Sequence, residues 1–356
     1  MMRKGLLLLA VILCSTSVYT QTPENEFKPS GKILSQVFGD YFYVLTADTG
    51  IGKLSKTFLN KPSGMTGFQF KRVTLGYEYN WTPQITTFIK IETNDNALSA
   101  DNTMSFFLKD AYLKYKINAF TEFCLGIQPT FSFETSEQYW GLRYVEKTIL
   151  DLRSIEPARD FGISVRGKFS AGSPFSYIVM AGDNSYVRPE TDKYKKLYGK
   201  LGYSPFNGLD FCYYSDYAFL AEKNGKPSNE LVQAVFAGYK NEKISVGLET
   251  FLKTTGNGYM TPDSMFTNLN GMGISVFGSV NISKKIACFA RYDFYDPNIN
   301  AGSTNDRRYF ATAGLSWTPV ANINFSPNLE METYESAKYS PSPSVWARLN
   351  FQWNLK

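Results

Sequence analysis

The residue types of this 356-residue chain limit the chemistry that it can perform. It contains no histidine, which excludes Ser–His and Cys–His nucleophile pairs and imidazole ligands for a metal. Cys124, Cys212 and Cys288 are far apart and form no C-x-x-C pair, so they indicate neither a disulfide framework nor a metal site. Glu330 and Glu332 lie two residues apart on a predicted strand, and a solvated wall explains them without catalysis. The sequence therefore predicts no enzyme, no metal and no cofactor.

The basic side chains are the second group of residues with a possible function, because a cluster of positive charges attracts anions. The formal charge of +5 is small and acids are interspersed, which argues against nucleic acid as a partner. The candidates for an anion pathway are Arg72, Lys114, Lys116, Arg143, Lys147, Arg153, Arg159, Arg166, Lys168, Arg291 and Arg308.

Alternation of apolar and polar residues, which is typical of β-strands, dominates the chain. Val345, Leu349 and Trp353 fall on one face of the last segment, whereas Arg348 and Asn350 fall on the other. Sixteen such segments can be drawn between residues 33 and 355, among them 243–253 and 271–282. Most are close to the roughly 9–11 residues that a tilted strand needs to cross a bilayer.

The connections between these segments alternate between long and short along the whole chain. Tight, Pro- or Asn-containing turns such as Trp81-Thr82-Pro83 occur at one end, and longer polar loops occur at the other. This asymmetry is typical of outer-membrane barrels, which have short periplasmic turns and long extracellular loops. Trp and Tyr beside the turns predict an aromatic girdle at headgroup depth. The predicted fold is an all-β, transmembrane antiparallel barrel of about 16 strands.

Residues 1–20 are expected to be a secretory signal peptide, which leaves 21–356 as the barrel. Arg3 and Lys4 precede an apolar stretch, Leu6 to Leu13, that is too short to span a membrane as a helix. No run of 18 apolar residues follows it, so the predicted location is the bacterial outer membrane, with membrane lipid as a partner.

If the apolar faces contact lipid, the polar faces line the interior of the barrel. Their number favours a wet lumen, since charges packed in a dry interior are costly. A barrel of about 16 strands is wide enough for an aqueous channel. Bases outnumber acids on these faces, which suggests a mild anion preference. The bases are Arg72, Lys90, Lys114, Lys116, Arg166, Lys168, Lys200, Lys253, Arg291, Arg308 and Arg348; the acids are Glu78, Glu92, Asp110, Glu249, Asp293, Glu330 and Glu332.

The third long connection, about 129–159, is the longest. It is rich in Phe, Tyr, Trp, Leu and Ile and also carries Arg143, Lys147, Arg153 and Arg159, so disorder is not expected. One interpretation is a loop that folds into the barrel and narrows the pore. The alternative is an extracellular flap whose charges are solvated.

Four stretches resemble the phosphate-selective porin O/P family, mainly within residues 65–170. They are Phe68-Gln69-Phe70-Lys71-Arg72-Val73-Thr74-Leu75-Gly76-Tyr77-Glu78; Leu108-Lys109-Asp110-Ala111-Tyr112-Leu113-Lys114-Tyr115; Leu125-Gly126-Ile127-Gln128-Pro129 with Phe131; and Arg159-Asp160-Phe161-Gly162-Ile163. The resemblance implies a homotrimeric outer-membrane porin with a cationic lumen and a constriction loop after the fifth strand. The third loop of this chain mixes acids with bases, which favours a general porin over strict phosphate selectivity.

The sequence thus predicts a passive channel for small hydrophilic solutes, anionic or neutral, with a mild preference for anions, including phosphate. The alternative is a non-conducting barrel that serves as a scaffold or receptor in an envelope or secretion complex. The two differ in whether the purified protein conducts ions across a bilayer.

Overall fold

The computed structural model describes residues 27–47, 61–94, 97–223, 225–261, 263–300, 306–335 and 343–355, and the expected signal peptide lies outside these ranges. Within them the chain forms sixteen antiparallel strands and two short helices. The strands are β1 Ser30–Thr46, β2 Thr66–Asn80, β3 Ile85–Thr93, β4 Phe107–Asn118, β5 Thr121–Pro129, β6 Arg159–Lys168, β7 Phe175–Gly182, β8 Lys196–Phe206, β9 Leu209–Ala218, β10 Glu230–Lys240, β11 Ile244–Met260, β12 Phe266–Asn281, β13 Ile286–Asp296, β14 Arg308–Val320, β15 Ile323–Tyr334 and β16 Ser344–Leu355.

The sheet closes into a barrel in which every strand pairs with its neighbours in sequence. The seam joins β1 to β16 antiparallel, from Ser35 opposite Leu355 to Val44 opposite Trp346. Closure satisfies the backbone polar groups of both edges, as a sheet in lipid requires. The predicted closed, antiparallel barrel of about 16 strands is confirmed.

The outer surface of the barrel is apolar, as the alternation predicts. Phe68 is 80% exposed and Val179 is 60% exposed, although both are apolar residues within strands. Aromatic side chains contact one another beside the tight turns, with Tyr79 against Trp81 at 4.7 Å and Phe175 against Tyr203 at 4.6 Å between ring centroids. Rings at this position form the interfacial girdle of membrane barrels.

The largest difference from the sequence-based segments lies at β11 and β12. These strands continue to Met260 and from Phe266, so much of the predicted loop 254–270 is a strand extension. The pair makes cross-strand contacts as far as Met260 opposite Phe266. Asn and Gly in this stretch weaken the apolar alternation, which explains why the pattern alone ended too early.

Two β-bulges change the inward set of side chains on β2 and β4. Phe38 pairs with Arg72 and Gly39 with Phe70, so Lys71 is the extra residue of β2. Lys109 is likewise the extra residue of β4. It lies between Leu108, which pairs with Ile91, and Asp110, which pairs with Lys90. A bulge shifts the alternation by one residue and turns an additional side chain toward the interior.

The longest connection, between β5 and β6, contains the two helices. These are α1, Glu134–Trp140, and α2, Ile149–Leu152. Gly141 ends α1 in the left-handed conformation (φ 64°) and donates its N–H to the carbonyl oxygen of Glu137, an ordinary helix stop. Among the residues that the structure describes, no helix is long and apolar enough to cross a membrane.

Candidate permeation site

The third loop (residues 130–158) lies inside the barrel. Trp140 is 1% exposed and packs against Phe277 of β12 and Phe289 of β13, with ring centroids at 5.5 and 5.8 Å. The hydroxyl of Tyr144 hydrogen-bonds with Ser316 of β14 at 2.8 Å and with Ser326 of β15 at 2.6 Å. These contacts bury the loop against the inner wall of the barrel, and its role in narrowing the pore stays a prediction.

Two further apolar clusters attach the loop to other parts of the wall. Ile149 and Leu150 of α2 are fully buried in a cluster with wall residues of β7 to β11, such as Tyr214. Leu152 packs with Phe42, Phe310 and Trp346 on β1, β14 and β16. Because the attached strands run from β7 to β16 and on to β1, the loop fills that side of the lumen.

Many inward-facing charges are buried beneath the loop, which corrects the expectation that they line open water. Arg153 of the loop pairs with Glu332 of β15, and both side chains are at most 2% exposed. Arg291 of β13 donates through Nε to Asp293 at 2.8 Å, with no exposed side-chain area. The physical reason is that the loop excludes water, and each of these two cations is compensated by an acidic partner. Arg153 and Arg291 therefore lie in buried ion pairs.

The buried side of the lumen has an excess of acids around its cations. Arg348 is shared by Asp40 and Glu330, the latter at 2.8 Å. Lys196 is shared by Asp216, at 2.9 Å, and by Glu156 of the loop. Burial raises the pKa of Glu156 to about 8, with a further rise from Asp216, because one lysine cannot neutralise two carboxylates.

The opposite wall, from β2 to β6, carries the reverse arrangement, in which one acid is shared by two cations. Glu92 lies 3.1 Å from Arg72 Nε and 3.2 Å from Lys109 Nζ. Asp110 of β4 binds both Lys90 and Arg159. Each trio has a net charge of +1, and the cations are 13–20% exposed on their side chains. The wall that faces water is therefore the cationic one.

The loop presents a group of two cations and two acids toward this wall. Arg143 pairs with Glu137 at 2.7 Å and with Asp151 at 2.8 Å, and Lys147 lies 3.4 Å from Asp151. Burial acts to raise the pKa of Asp151, but the charges of Arg143 and Lys147 outweigh it and lower that pKa to about 2. Asp151 is thus ionised at neutral pH, and it holds both cations at the edge of the loop.

Two cavities lie between the loop and the cationic wall. One of about 370 Å³ lies toward the long loops and is lined by Lys71, Arg72, Lys109, Arg143 and Lys147, among others. The second, of about 680 Å³, lies toward the tight turns and is lined by Lys116, Arg166, Lys168 and Lys200, among others. The two cavities lie toward opposite ends of the closed barrel and mark a candidate path beside the loop.

The remaining candidates from the sequence lie on the cationic wall, except for Arg308, which is on β14. Arg159 is in the trio around Asp110, and Lys114 lies beside the Tyr112 ring on the same wall. Arg166 pairs with Glu122 at the second cavity. Arg308 begins β14 at the long-loop end, with its guanidinium carbon 5.8 Å from the centroid of the Tyr295 ring.

Sequence alternation missed two cations of the first cavity, Lys71 and Lys109. Strict alternation places both on the lipid side, but each is the extra residue of a bulge and turns inward. Lys71 donates to the Asn350 side chain at 3.1 Å and to the carbonyl oxygen of Val145 in the loop. One physical argument could have identified these two lysines from the sequence. A lysine on the lipid face costs about 2–4 kcal/mol at mid-depth, so a lysine that alternation places there is expected to turn inward.

Comparison with known proteins places this geometry among porin folds. No protein-family model matches the chain, and no curated protein matches it. An anion-selective porin from Comamonas acidovorans is similar in structure, with a TM-score of 0.66 and 11% identity over 92% of this chain and 100% of that one. The outer membrane channel DcaP of Acinetobacter baumannii has a TM-score of 0.65 and 14% identity over 92% and 97% of the two chains.

The trimer form of OmpT, an outer membrane protein of Vibrio cholerae, has a TM-score of 0.61 and 11% identity over 92% of this chain and 99% of that one. At such identities the likeness shows the fold. The protein therefore has the fold of outer-membrane porins, and the closed barrel with its apolar outer belt belongs in the bacterial outer membrane.

Proposed function

We propose that this protein is a passive diffusion channel for small hydrophilic solutes, with a preference for anions that includes phosphate. The observation that carries the proposal is the charge of the first cavity. Its lining contains six bases, Lys71, Arg72, Lys109, Arg143, Lys147 and Arg348, and three acids, Glu92, Glu146 and Asp151. A cleft with low-dielectric walls and charge of one sign raises the local concentration of counter-ions.

The burial of acid-rich clusters behind the loop supports the same preference. Asp40 and Glu330 are fully buried and both pair with Arg348, and Asp40 also lies 3.6 Å from Lys71, so cations compensate both carboxylates. The exposed cations of Arg72, Lys109 and their neighbours thus dominate the field that a permeating ion meets. The resemblance to the phosphate-selective porins and the fold shared with an anion-selective porin agree with this proposal. That resemblance and the fold shared with the trimer form of OmpT favour assembly as a homotrimer.

The test is the reversal potential of the purified protein in a planar bilayer under a KCl gradient. The wild type should conduct and reverse toward the chloride potential, and Arg72→Gln with Lys109→Gln should move the reversal potential toward zero. Lys243→Gln, on an exposed tight turn, is the matched control and should change nothing. A cation-selective wild type would contradict the anion preference. A folded barrel without conductance would favour the scaffold or receptor.

A further inference from the structure

Aromatic rings alternate with cations along the inner face of β3 and β4, on the wall that the third loop leaves open. The sequence contains the pattern aromatic-x-Lys three times there, as Phe88-Ile89-Lys90, Phe107-Leu108-Lys109 and Tyr112-Leu113-Lys114. Each ammonium lies 5.5 Å from the centroid of the ring two residues before it. The ion pairs described above explain Lys90 and Lys109, but they explain neither Lys114 nor the rings.

The two central rings, Phe88 and Tyr112, pack against each other and form a platform on the wall. Phe88 and Tyr112 face each other in the β3–β4 register, with centroids 5.3 Å apart and ring planes at 40°. The Phe88 ring lies over Gly76 of β2, where an added Cβ would come within 3.1 Å of the ring. Tyr112 is opposite Gly126 of β5, where a Cβ would meet the β4 backbone at 2.1–2.8 Å. Glycine at position 76 leaves room for the Phe88 ring to lie along the wall, and glycine at position 126 lets the β5 backbone approach β4 closely beside Tyr112.

Cations flank the platform on both sides along the barrel axis. Lys90, opposite Asp110, is two residues toward the long loops, and Lys114, opposite Thr86, is two residues toward the tight turns. Two residues of a strand span about 6.6 Å, so a carboxylate on either lysine brings its substituent alongside a ring. Phe107 with Lys109 repeats the arrangement at the first cavity.

The lysines can turn toward an incoming carboxylate at low cost. Lys90 and Lys109 each share their acid with an arginine, Arg159 and Arg72 respectively, so the acid keeps one partner when the lysine moves. Lys114 has no acidic partner within 4 Å in the part of the chain that the structure describes. A charge-assisted hydrogen bond to a carboxylate is therefore open to all three.

Building on the proposed anion channel, we propose that Phe88, Tyr112 and Phe107, with Lys90, Lys109 and Lys114, form a track that selects aromatic carboxylates among small anions. The carboxylate binds a lysine while the solute ring stacks, offset, on a wall ring. Aromatic pairs prefer such offset or tilted geometry at centroid distances of 4.5–7 Å. The binding is weak and repeated along the track, as transport requires, because a solute must also leave each position.

The experiment uses single channels in KCl with one of three sodium salts added at equal ionic strength: benzoate, cyclohexanecarboxylate or acetate. Benzoate should block the chloride current in a saturable way, at a half-blocking concentration several-fold lower than that of cyclohexanecarboxylate. Acetate should block least, because it offers no ring. Equal block by benzoate and cyclohexanecarboxylate would overturn the proposal, since the rings would then act only as apolar surface. Block by neutral maltose as strong as that by benzoate would also overturn it.

Substitution identifies the rings that are responsible. Phe88→Leu with Tyr112→Leu should raise the half-blocking concentration of benzoate about two- to tenfold, the range expected for an aromatic pair, with the chloride reversal potential unchanged. Phe161→Leu, on the lipid-facing side of β6, is the matched control and should leave the block unchanged. An unchanged block in the double variant contradicts the assignment of these rings.

The proposal fails separately from the anion channel on which it rests. A wild type without chloride selectivity contradicts both, and KCl alone shows this before any organic anion is added. A chloride-selective channel with no preference for benzoate contradicts only the aromatic track. If the double variant fails to fold, the salt series on the wild type decides the question.

Discussion

Trp140 is the side chain whose removal should do most to release the third loop from the wall. It is 1% exposed, contacts Phe277 and Phe289, and donates its indole N–H to the carbonyl oxygen of Glu146 at 2.9 Å. The Arg291 guanidinium lies 5.6 Å from its ring. Within residues 130–158, all of which the structure describes, no other residue combines two ring contacts, a buried hydrogen bond and a cation contact.

Trp140→Ala should destabilise the docked loop by about 3–5 kcal/mol, the usual cost of truncating a buried large aromatic residue. At about 1.4 kcal/mol per decade, the docking equilibrium shifts by a factor of roughly 10² to 10⁴. The barrel should survive, because Trp140 belongs to α1 and contributes nothing to the strand ladder. The lumen that the loop fills then opens toward β12 and β13.

The assay is single-channel conductance, with the heat-dependent gel shift of the barrel as a control for folding. Trp140→Ala should give a larger, noisier conductance and weaker anion selectivity, since ions could then pass at a distance from the cationic wall. Trp140→Phe keeps the contacts with Phe277 and Phe289 and should remain close to the wild type. A folded Trp140→Ala barrel with unchanged conductance would refute the claim that this contact limits the pore.

Three further predictions concern charges. Glu332→Gln leaves Arg153 buried without its partner and should lower stability by about 3–5 kcal/mol, measured by urea denaturation; Arg153→Met with Glu332→Leu should recover most of the loss. Because the pKa of Asp151 is lowered to about 2, from 3.8, its contribution to loop docking is complete above about pH 4 and is lost as pH falls toward 2. Anion selectivity should therefore weaken over that interval, and Asp151→Asn, which lacks the carboxylate, should abolish this pH dependence. Lys71→Gln should reduce anion selectivity, whereas a lipid-facing Lys71 would leave it unchanged.

The barrel fold could be predicted from the sequence because each strand has one apolar and one polar face. In β16 the alternation from Val345 to Leu355 specifies which side chains meet lipid, and the same rule holds for other strands. Pro and Asn residues in the tight turns predicted most strand ends to within a few residues of those in the structure. The pattern failed at β11 and β12, where cross-strand pairing continues through Asn and Gly residues that weaken the alternation.

The site was less accessible to sequence reasoning, for two physical reasons. A bulge changes the face of a residue without changing its identity, so Lys71 and Lys109 could be recognised only once the register was known. Burial of wall charges depends on where the third loop lies, and no local pattern reports that. Alternation could place Arg291 and Arg348 on the inner face, but it could not show that the loop covers them.

The position of the third loop also constrains the order in which the molecule can be built. The loop carries bulky apolar side chains, such as Trp140 and Ile149, that contact walls on different sides of the lumen. The loop can complete these contacts only once the first and last strands have joined, because its partners include Phe42 of β1 and Trp346 of β16. The Asp40–Arg348 pair spans that final junction and lies in the same buried region, which couples sealing of the wall to correct seating of the segment inside it.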